Sequence, residues 1–189
     1  MENKMNKITI RCAERGDSEF IARGFLTAMW ILGEEQEQLL PSCKSLAEMD
    51  DTLYSWRNAC IAQCEGTDAA VLISYDGASY AAASAKTFAY IHDRGGEDFT
   101  DMTHEAVPGE WYIDTLAVMP EFRRKGLATQ LLHHAISLGR QNPHTQKTTL
   151  YVDPGHPWVV DLYSSVGFQP EGEAFIFGQT FRKMSVLTP

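Results

Sequence analysis

The chain has 189 residues, 44% of them hydrophobic and 22% charged, with a formal net charge of −9. Those values predict one soluble domain spanning residues 1–189, with enough chain for a full hydrophobic core and no low-complexity tract. They argue against nucleic acid as the main partner, because phosphate binding needs a net basic face, and no apolar run approaches a membrane span.

The polar start MENKMNK does not read as a secretory signal, so a cytoplasmic location is expected. Ile8 and Ile10 alternate with polar neighbours and predict a first strand. Asp17 or Ser18 can cap a helix whose inward face is Phe20, Ile21, Phe25, Ala28, Met29 and Leu32. A second helical stretch is predicted from about Ser45 to Cys64, with Leu46, Met49, Leu53, Trp56 and Cys60 on one side. Ala69–Tyr75 and Ser79–Tyr90 read as two strands around an Asp76-Gly77 turn, a hairpin signal. The polar stretch from His92 to Gly109 reads as a long loop, a kind of segment that is often functional or mobile. The four cysteines, Cys12, Cys43, Cys60 and Cys64, show no CxxC pair and no histidines at zinc spacing, so a reduced protein without a metal is expected. Cys60 and Cys64 at helical spacing read as buried small hydrophobes.

The segment Trp111–Ile136, WYIDTLAVMPEFRRKGLATQLLHHAI, carries the most chemistry. Trp111–Val118 reads as a strand and Pro120 as part of a connector. Arg123-Arg124-Lys125-Gly126 follows as a basic loop, leading into a helix with Leu127, Leu131, Leu132, Ala135, Ile136 and Leu138 at helical spacing. A helix start exposes unpaired N–H groups and the positive end of its dipole, which together suit an anion. Three cations are unfavourable there unless an anion is near. Gly126 has no Cβ to keep a ligand phosphate from the chain, and Ala128 keeps the next turn narrow. The loop is neither a GxxxxGK[ST] P-loop nor a GxGxxG dinucleotide turn. Leu150-Tyr151-Val152 reads as another strand, and Trp158 to Phe168 as a short helix closed by Gly167-Phe168. Glu171–Thr180 and Phe181–Val186 read as a final strand pair, giving the order β-α-α-β-β-β-α-β-α-β-β, a mixed α/β layer structure.

Arg123-x-x-Gly126-x-Ala128 after a strand ending Leu116-Ala117-Val118, then Leu162-Tyr163-x-x-x-Gly167-Phe168 downstream, resembles the GNAT N-acetyltransferase family. The likeness is clearest over Trp111–Phe168. It extends to Ile8-x-Ile10-Arg11-x-Ala13 and Asp17, which resemble the family's first strand and helix cap. It implies an acyl-CoA N-acyltransferase fold, a central mixed sheet flanked by helices, and acetyl-CoA as cosubstrate. The strands Trp111–Val118 and Thr148–Val152 would be parallel neighbours that splay apart. The pantetheine arm would pair with the backbone of Leu116, Ala117 and Val118. The amides of Lys125, Gly126, Leu127, Ala128 and Thr129 would hold the pyrophosphate, with Arg123, Arg124 and Lys125 adding attraction.

Tyr163 then stands as the acid that protonates the leaving thiolate, since a phenol near ~10 and a thiol near ~8.5 exchange a proton readily. Its other reading is a core tyrosine packed on Phe168. Asp114 shares a strand face with Tyr112 and Leu116 and reads equally as the base or as a group that binds the acceptor's charge. His156 stands where the family usually has an asparagine holding the pantetheine arm; it reads equally as a loop residue before Pro157. His133 and His134 read as surface residues, and His104 has no visible partner. Trp30, Glu34, Glu35, Glu37 and Trp56 lie where the acceptor is covered in the resembled fold and suit an organic cation; solvated acids and core tryptophans are the plainer reading. No cysteine lies near the two motifs, which favours direct transfer over a covalent cysteine intermediate.

The expectation is an acetyl-CoA-dependent N-acetyltransferase acting on a primary amine of a small molecule. A protein or peptide acceptor is the rival enzyme reading, and a CoA-binding sensor without chemistry is the rival outside enzymes. A second copy of the chain, in a homodimer, is left open as a partner. Neither nucleic acid nor a membrane is expected.

Overall fold

A computed structural model of the chain describes residues 7–99 and 102–188; the start MENKMN, residues 100 and 101 of the predicted long loop, and the final residue lie outside the description. In chain order the elements are β1 (Ile8–Cys12), α1 (Ser18–Ala28), α2 (Gly33–Glu48), β2 (Ala59–Cys64), β3 (Thr67–Asp76) and α3 (Tyr80–His92). There follow β4 (Glu110–Val118), α4 (Leu127–Gln141), β5 (Lys147–Val152), α5 (Pro157–Ser165), β6 (Gln169–Ile176) and β7 (Gln179–Leu187). The strands form a seven-stranded mixed sheet in the order β1-β2-β3-β4-β5-β7-β6. Among the described residues no helix is long and apolar enough to cross a membrane.

Two predicted elements are of the wrong type. The helix expected over 45–64 is instead the end of α2, a turn region and β2. Apolar residues at Leu46, Met49, Leu53, Trp56 and Cys60 imitate a helical period, while β2 is buried on both faces and so shows no alternation. Cys60 and Cys64 still share a face, because a spacing of four repeats on a strand as well as on a helix. Both are buried, and burial pushes the Cys60 thiol up to about 12. Pro41 lies inside α2, where it removes one helical hydrogen bond.

The second strand of the expected Asp76-Gly77 hairpin is α3. Asp76 accepts a hydrogen bond from the Ala78 N–H and so starts a helical turn, and Tyr80-Ala-Ala-Ala favours helix. The β2–β3 hairpin turns at Glu65-Gly66, both at positive φ (52° and 82°), as a tight hairpin turn requires. The order is therefore β-α-α-β-β-α-β-α-β-α-β-β.

The chain divides into two compact, sequence-discontinuous units. The first comprises 7–50, 54–73 and 115–131. Its helices α1 and α2 meet through Ala22, Leu26 and Leu40, with Phe25, Ile31 and Cys43 against them. The buried side of α1 is Ile21, Ala22, Gly24 and Leu26; Met29 and Leu32, expected inside, lie beyond the helix end and are exposed. Gly24 is there because a Cβ would stand 2.1 Å from Val71 Cγ1. Asp17 does not cap α1 through its side chain. Its carboxylate takes two bonds from Arg11 (2.6 and 2.9 Å), which hold it below the usual carboxylate range, and Arg11 also reaches Asp68.

The second unit comprises 51–53, 74–99, 102–114 and 132–188. Leu132, Ala135 and Ile136 of α4 are buried there with Tyr112, Ile113, Leu150, Phe168 and Met184. Gly139 lets α4 press on β4 and β5, since a Cβ would meet Thr148 Oγ1 at 2.7 Å and Trp111 Cβ at 3.0 Å. Glu110 is buried but compensated, accepting from Lys183 Nζ at 2.7 Å and Thr149 Oγ1 at 3.3 Å. The parallel β4–β5 ladder runs from Glu110↔Lys147 to Ile113↔Leu150, and β4 continues beyond it for five residues.

Gly24→Val tests the close approach of α1 to β3. Forcing two methyl groups against Val71 should cost ~1–3 kcal/mol of stability, the usual scale of overpacking, read from the urea midpoint with an unchanged m-value.

Candidate functional site

The basic loop lies in the first unit. β4 ends at Val118, a single turn over Pro120–Phe122 follows, and the backbone then alternates in handedness: φ is −62° at Arg123, +61° at Arg124 and +85° at Gly126. The left-handed region costs Arg124 about 1–3 kcal/mol, a strain that collects at ligand sites. Such alternation turns successive N–H groups to one side and makes an anion-binding hollow. A Cβ at Gly126 would meet nothing within 4 Å, so the space beside it is open. The Gly126 carbonyl accepts from Gln130 N–H at 3.1 Å and so opens α4, whose first amides follow at Leu127, Ala128 and Thr129. Residues 123–126 are exposed and Leu127 is buried. Arg123 Nε donates to the Val118 carbonyl at 3.2 Å, and the Lys125 ammonium sits 4.8 Å from the centre of the Phe122 ring. The structure thus brings the predicted loop residues together at one helix start. Leu116, Ala117 and Val118 lie past the end of the β4–β5 ladder, with Ala117 buried and the other two half-buried.

The second unit holds Asp114, His156 and Tyr163, together with Tyr75, Tyr80, Glu105 and Tyr112. Tyr163 is buried on α5, its ring edge-on to Phe168 with centroids 6.1 Å apart. Burial pushes its phenol up to about 12. The gap to a free thiol near ~8.5 is then roughly 3.5 units, or ~5 kcal/mol of uphill transfer, more than free tyrosine implies. His156 precedes α5 as its N-cap residue, and its Nδ1 lies 3.1 Å from Asp153 Oδ2. Its ring meets Trp158 edge-on.

Asp114 Oδ2 accepts from Tyr75 Oη at 2.7 Å. Close by in the same unit, Glu105 accepts from Tyr112 Oη at 2.7 Å and from Tyr80 Oη at 3.3 Å. The Tyr75 and Tyr112 rings meet edge-on at 5.7 Å. Tyr75, Tyr80 and Tyr112 are buried, whereas both carboxylate residues are half-buried. Desolvation, then the Asp114 charge, push the Glu105 carboxyl up to about 7, against the lowering effect of its two phenol donors. The same burial and the two carboxylates hold Tyr75 and Tyr112 well above the usual phenol range. His104, expected to lack a partner, packs on the Tyr80 ring with centroids 5.3 Å apart. Glu105 was missed because it sits in an aperiodic loop. The available signal was the alternation of Tyr112 and Asp114 on one face of β4.

Of the residues suggested for an acceptor, Trp30 is not core: it is 57% exposed at φ 61°, just beyond α1. Trp56 is half-buried, with Nε1 on Asp50 and Arg57 stacked over its ring. Glu34, Glu35 and Glu37 are exposed, and Glu37 pairs with Arg23 at 2.7 Å.

A family model described as the acetyltransferase (GNAT) family matches residues 34–168. No curated protein sequence matches the chain. A crystal structure of an acetyltransferase is similar with a TM-score of 0.76 at 22% identity, over 96% of this chain and 100% of that one. An N-acetyltransferase from Staphylococcus aureus Mu50 gives 0.72 at 22% identity, over 94% and 100%. The spermidine/spermine N-acetyltransferase SpeG from Vibrio cholerae, in mutant forms, gives 0.58 at 20% identity, over 96% and 94%. At such identities the likeness speaks to the fold.

Glu105 sets a pH signature on stability. Its folded value of about 7 lies above the unfolded ~4.3, so the folded chain binds a proton that the unfolded chain has released between those values. Stability from this group is full below pH ~4.3 and is lost as pH rises through 7. Melting temperatures of Glu105→Gln should therefore fall less than the parent's between pH 5 and pH 8; equal slopes would contradict the raised value.

Proposed function

This chain belongs to the GNAT acetyltransferase family, and we propose that it moves an acetyl group from acetyl-CoA to a primary amine of a small molecule by direct attack. The observation that carries the donor half is the alternating-handed basic loop at the start of α4. In this reading residues 1–189 act as one acetyltransferase domain. The amides of Lys125 to Thr129 bind the pyrophosphate, with Arg123, Arg124 and Lys125 completing the charge. The pantetheine arm pairs with Leu116, Ala117 and Val118, and His156, already tied to Asp153, borders that arm.

The amine nitrogen attacks the thioester carbonyl, the C–S bond breaks, and Tyr163 gives its proton to the departing sulfur. Burial keeps that phenol protonated at neutral pH, as an acid must be. Asp114 draws the acceptor's positive charge. A small cationic acceptor is supported by the half-buried carboxylates among phenols and by the chain's acidic balance. A polyamine is one such acceptor, in keeping with the spermidine/spermine activity of the Vibrio cholerae neighbour. The proposed location is the cytoplasm.

Gly126→Glu should abolish acetyl-CoA binding in calorimetry by setting bulk and charge against the phosphates. Gly178→Glu controls for strain, since Gly178 has a similar φ of +77° with nothing within 4 Å, and should bind as the parent does. Equal affinity in Gly126→Glu would remove the donor assignment.

Thiol release from acetyl-CoA, with polyamines, aminoglycosides, amino acids and short peptides as acceptors, tests the reaction itself. With the best acceptor, Tyr163→Phe should keep donor affinity and lose ~10²–10⁴-fold in kcat. An unchanged kcat returns Tyr163 to the core, and release confined to peptides replaces the small-molecule reading.

A further inference from the structure

Glu105 is a carboxylate whose surroundings fit a base. Two phenols fix it: Tyr112 on one oxygen and Tyr80 on the other. A carboxylate offers about four lone-pair directions, so two donors leave room for an incoming N–H. Tyr80 and Tyr112 are buried at 1% and 2% exposure, while Glu105 keeps part of its surface in solvent. It is thus held by two buried donors without being fully enclosed itself. Asp114 has a different post, with Tyr75 on Oδ2, on the strand that continues into Leu116–Val118.

Resting on the amine-transfer reading above, we propose that Glu105 takes the proton from the acceptor's ammonium group, while Asp114 holds the acceptor's charge. The ammonium gives one proton to a Glu105 oxygen, and the freed lone pair forms the C–N bond at the thioester carbonyl. When the C–S bond breaks, the sulfur is protonated by Tyr163, the second nitrogen proton balances that loss, and Glu105 releases its own to water. Around Glu105, Tyr80 of α3 and Tyr112 of β4 donate to it, and Tyr75 of β3, Asp114 of β4 and Tyr151 of β5 are close enough to interact with its charge; His104 packs on the Tyr80 ring. Burial and the Asp114 charge both raise Glu105, to about 7. Accepting a proton from an amine near ~10 is then uphill by roughly 3 units, against roughly 6 for a solvated carboxylate near ~4.

The test is kcat/KM against pH from 6 to 9.5, by thiol release from acetyl-CoA with the panel amine giving the fastest turnover and a second amine of different basicity. The full-length parent is compared with Glu105→Gln, Glu105→Asp and Asp114→Asn. The parent should show a rising limb that bends near pH 7 for both amines. Glu105→Gln should lose that limb and fall ~10²–10⁴-fold, with acetyl-CoA affinity by calorimetry unchanged, and Glu105→Asp should recover part of the rate with the limb. Asp114→Asn removes the like charge, so its limb should move to lower pH while the KM for the amine rises. A limb that persists in Glu105→Gln, or a loss explained wholly by weaker acetyl-CoA binding, overturns the proposal. If the parent accepts no amine, the transferase reading itself fails and Glu105's role falls with it.

Discussion

The helix start that carries the basic loop depends on one short parallel ladder. β4 and β5 pair through four residues, from Glu110↔Lys147 to Ile113↔Leu150. Parallel neighbours cannot be joined by a tight turn, so the chain must cross over, and α4 is that crossover. A crossover helix brings a helix start to the end of the first strand, and here that start carries Arg123, Arg124, Lys125 and Gly126. The basic loop is thus a consequence of how the two strands are paired. The ladder itself is pinned by Glu110, whose buried charge is answered by Lys183 and Thr149, and by Gly139, which lets α4 lie close. A charge buried without those partners would cost several kcal/mol.

Charge is sorted along the same strand. At its far end the loop is exposed and basic, matched to phosphates. Near its middle, Asp114 and Tyr112 face the phenol-rich surroundings that also hold Glu105. The net charge of −9 describes neither place, because a global sum averages over surfaces that face different ligands. Tyrosines suit the acidic place for a physical reason: each donates a hydrogen bond to an ionised carboxylate while its ring keeps water away. They support the charged form and expose it to a poor solvent together, and desolvation outweighs the phenol bonds at Glu105.

The elements that sequence reading misjudged share a cause. β2 and α3 lack the pattern their type usually shows: β2 is buried on both faces, and α3 follows an Asp-Gly pair that more often turns a hairpin. Pro41 lies mid-helix, where local preference argues for a break. At β2 burial on both faces outweighed the apparent helical period, whereas at α3 the alanine run's own helix preference outweighed the turn signal.

From the residues alone came the family resemblance, the strand–loop–helix over Trp111–Ile136, the α5 motif with Tyr163, and the mixed α/β class. These are local features, in which the period of the apolar residues and the place of Gly126 just before a helix are written in neighbouring positions. Tertiary structure alone decided the strand order, the end of the β4–β5 ladder at Ile113, and the meeting of Glu105 with Tyr80, Tyr112 and the Asp114 charge. Those depend on desolvation and on contacts between residues distant in sequence, 39 positions apart for Tyr75 and Asp114 and 73 for Glu110 and Lys183. A carboxylate's proton affinity is set by what surrounds it in space, and the chain's order of residues does not state that.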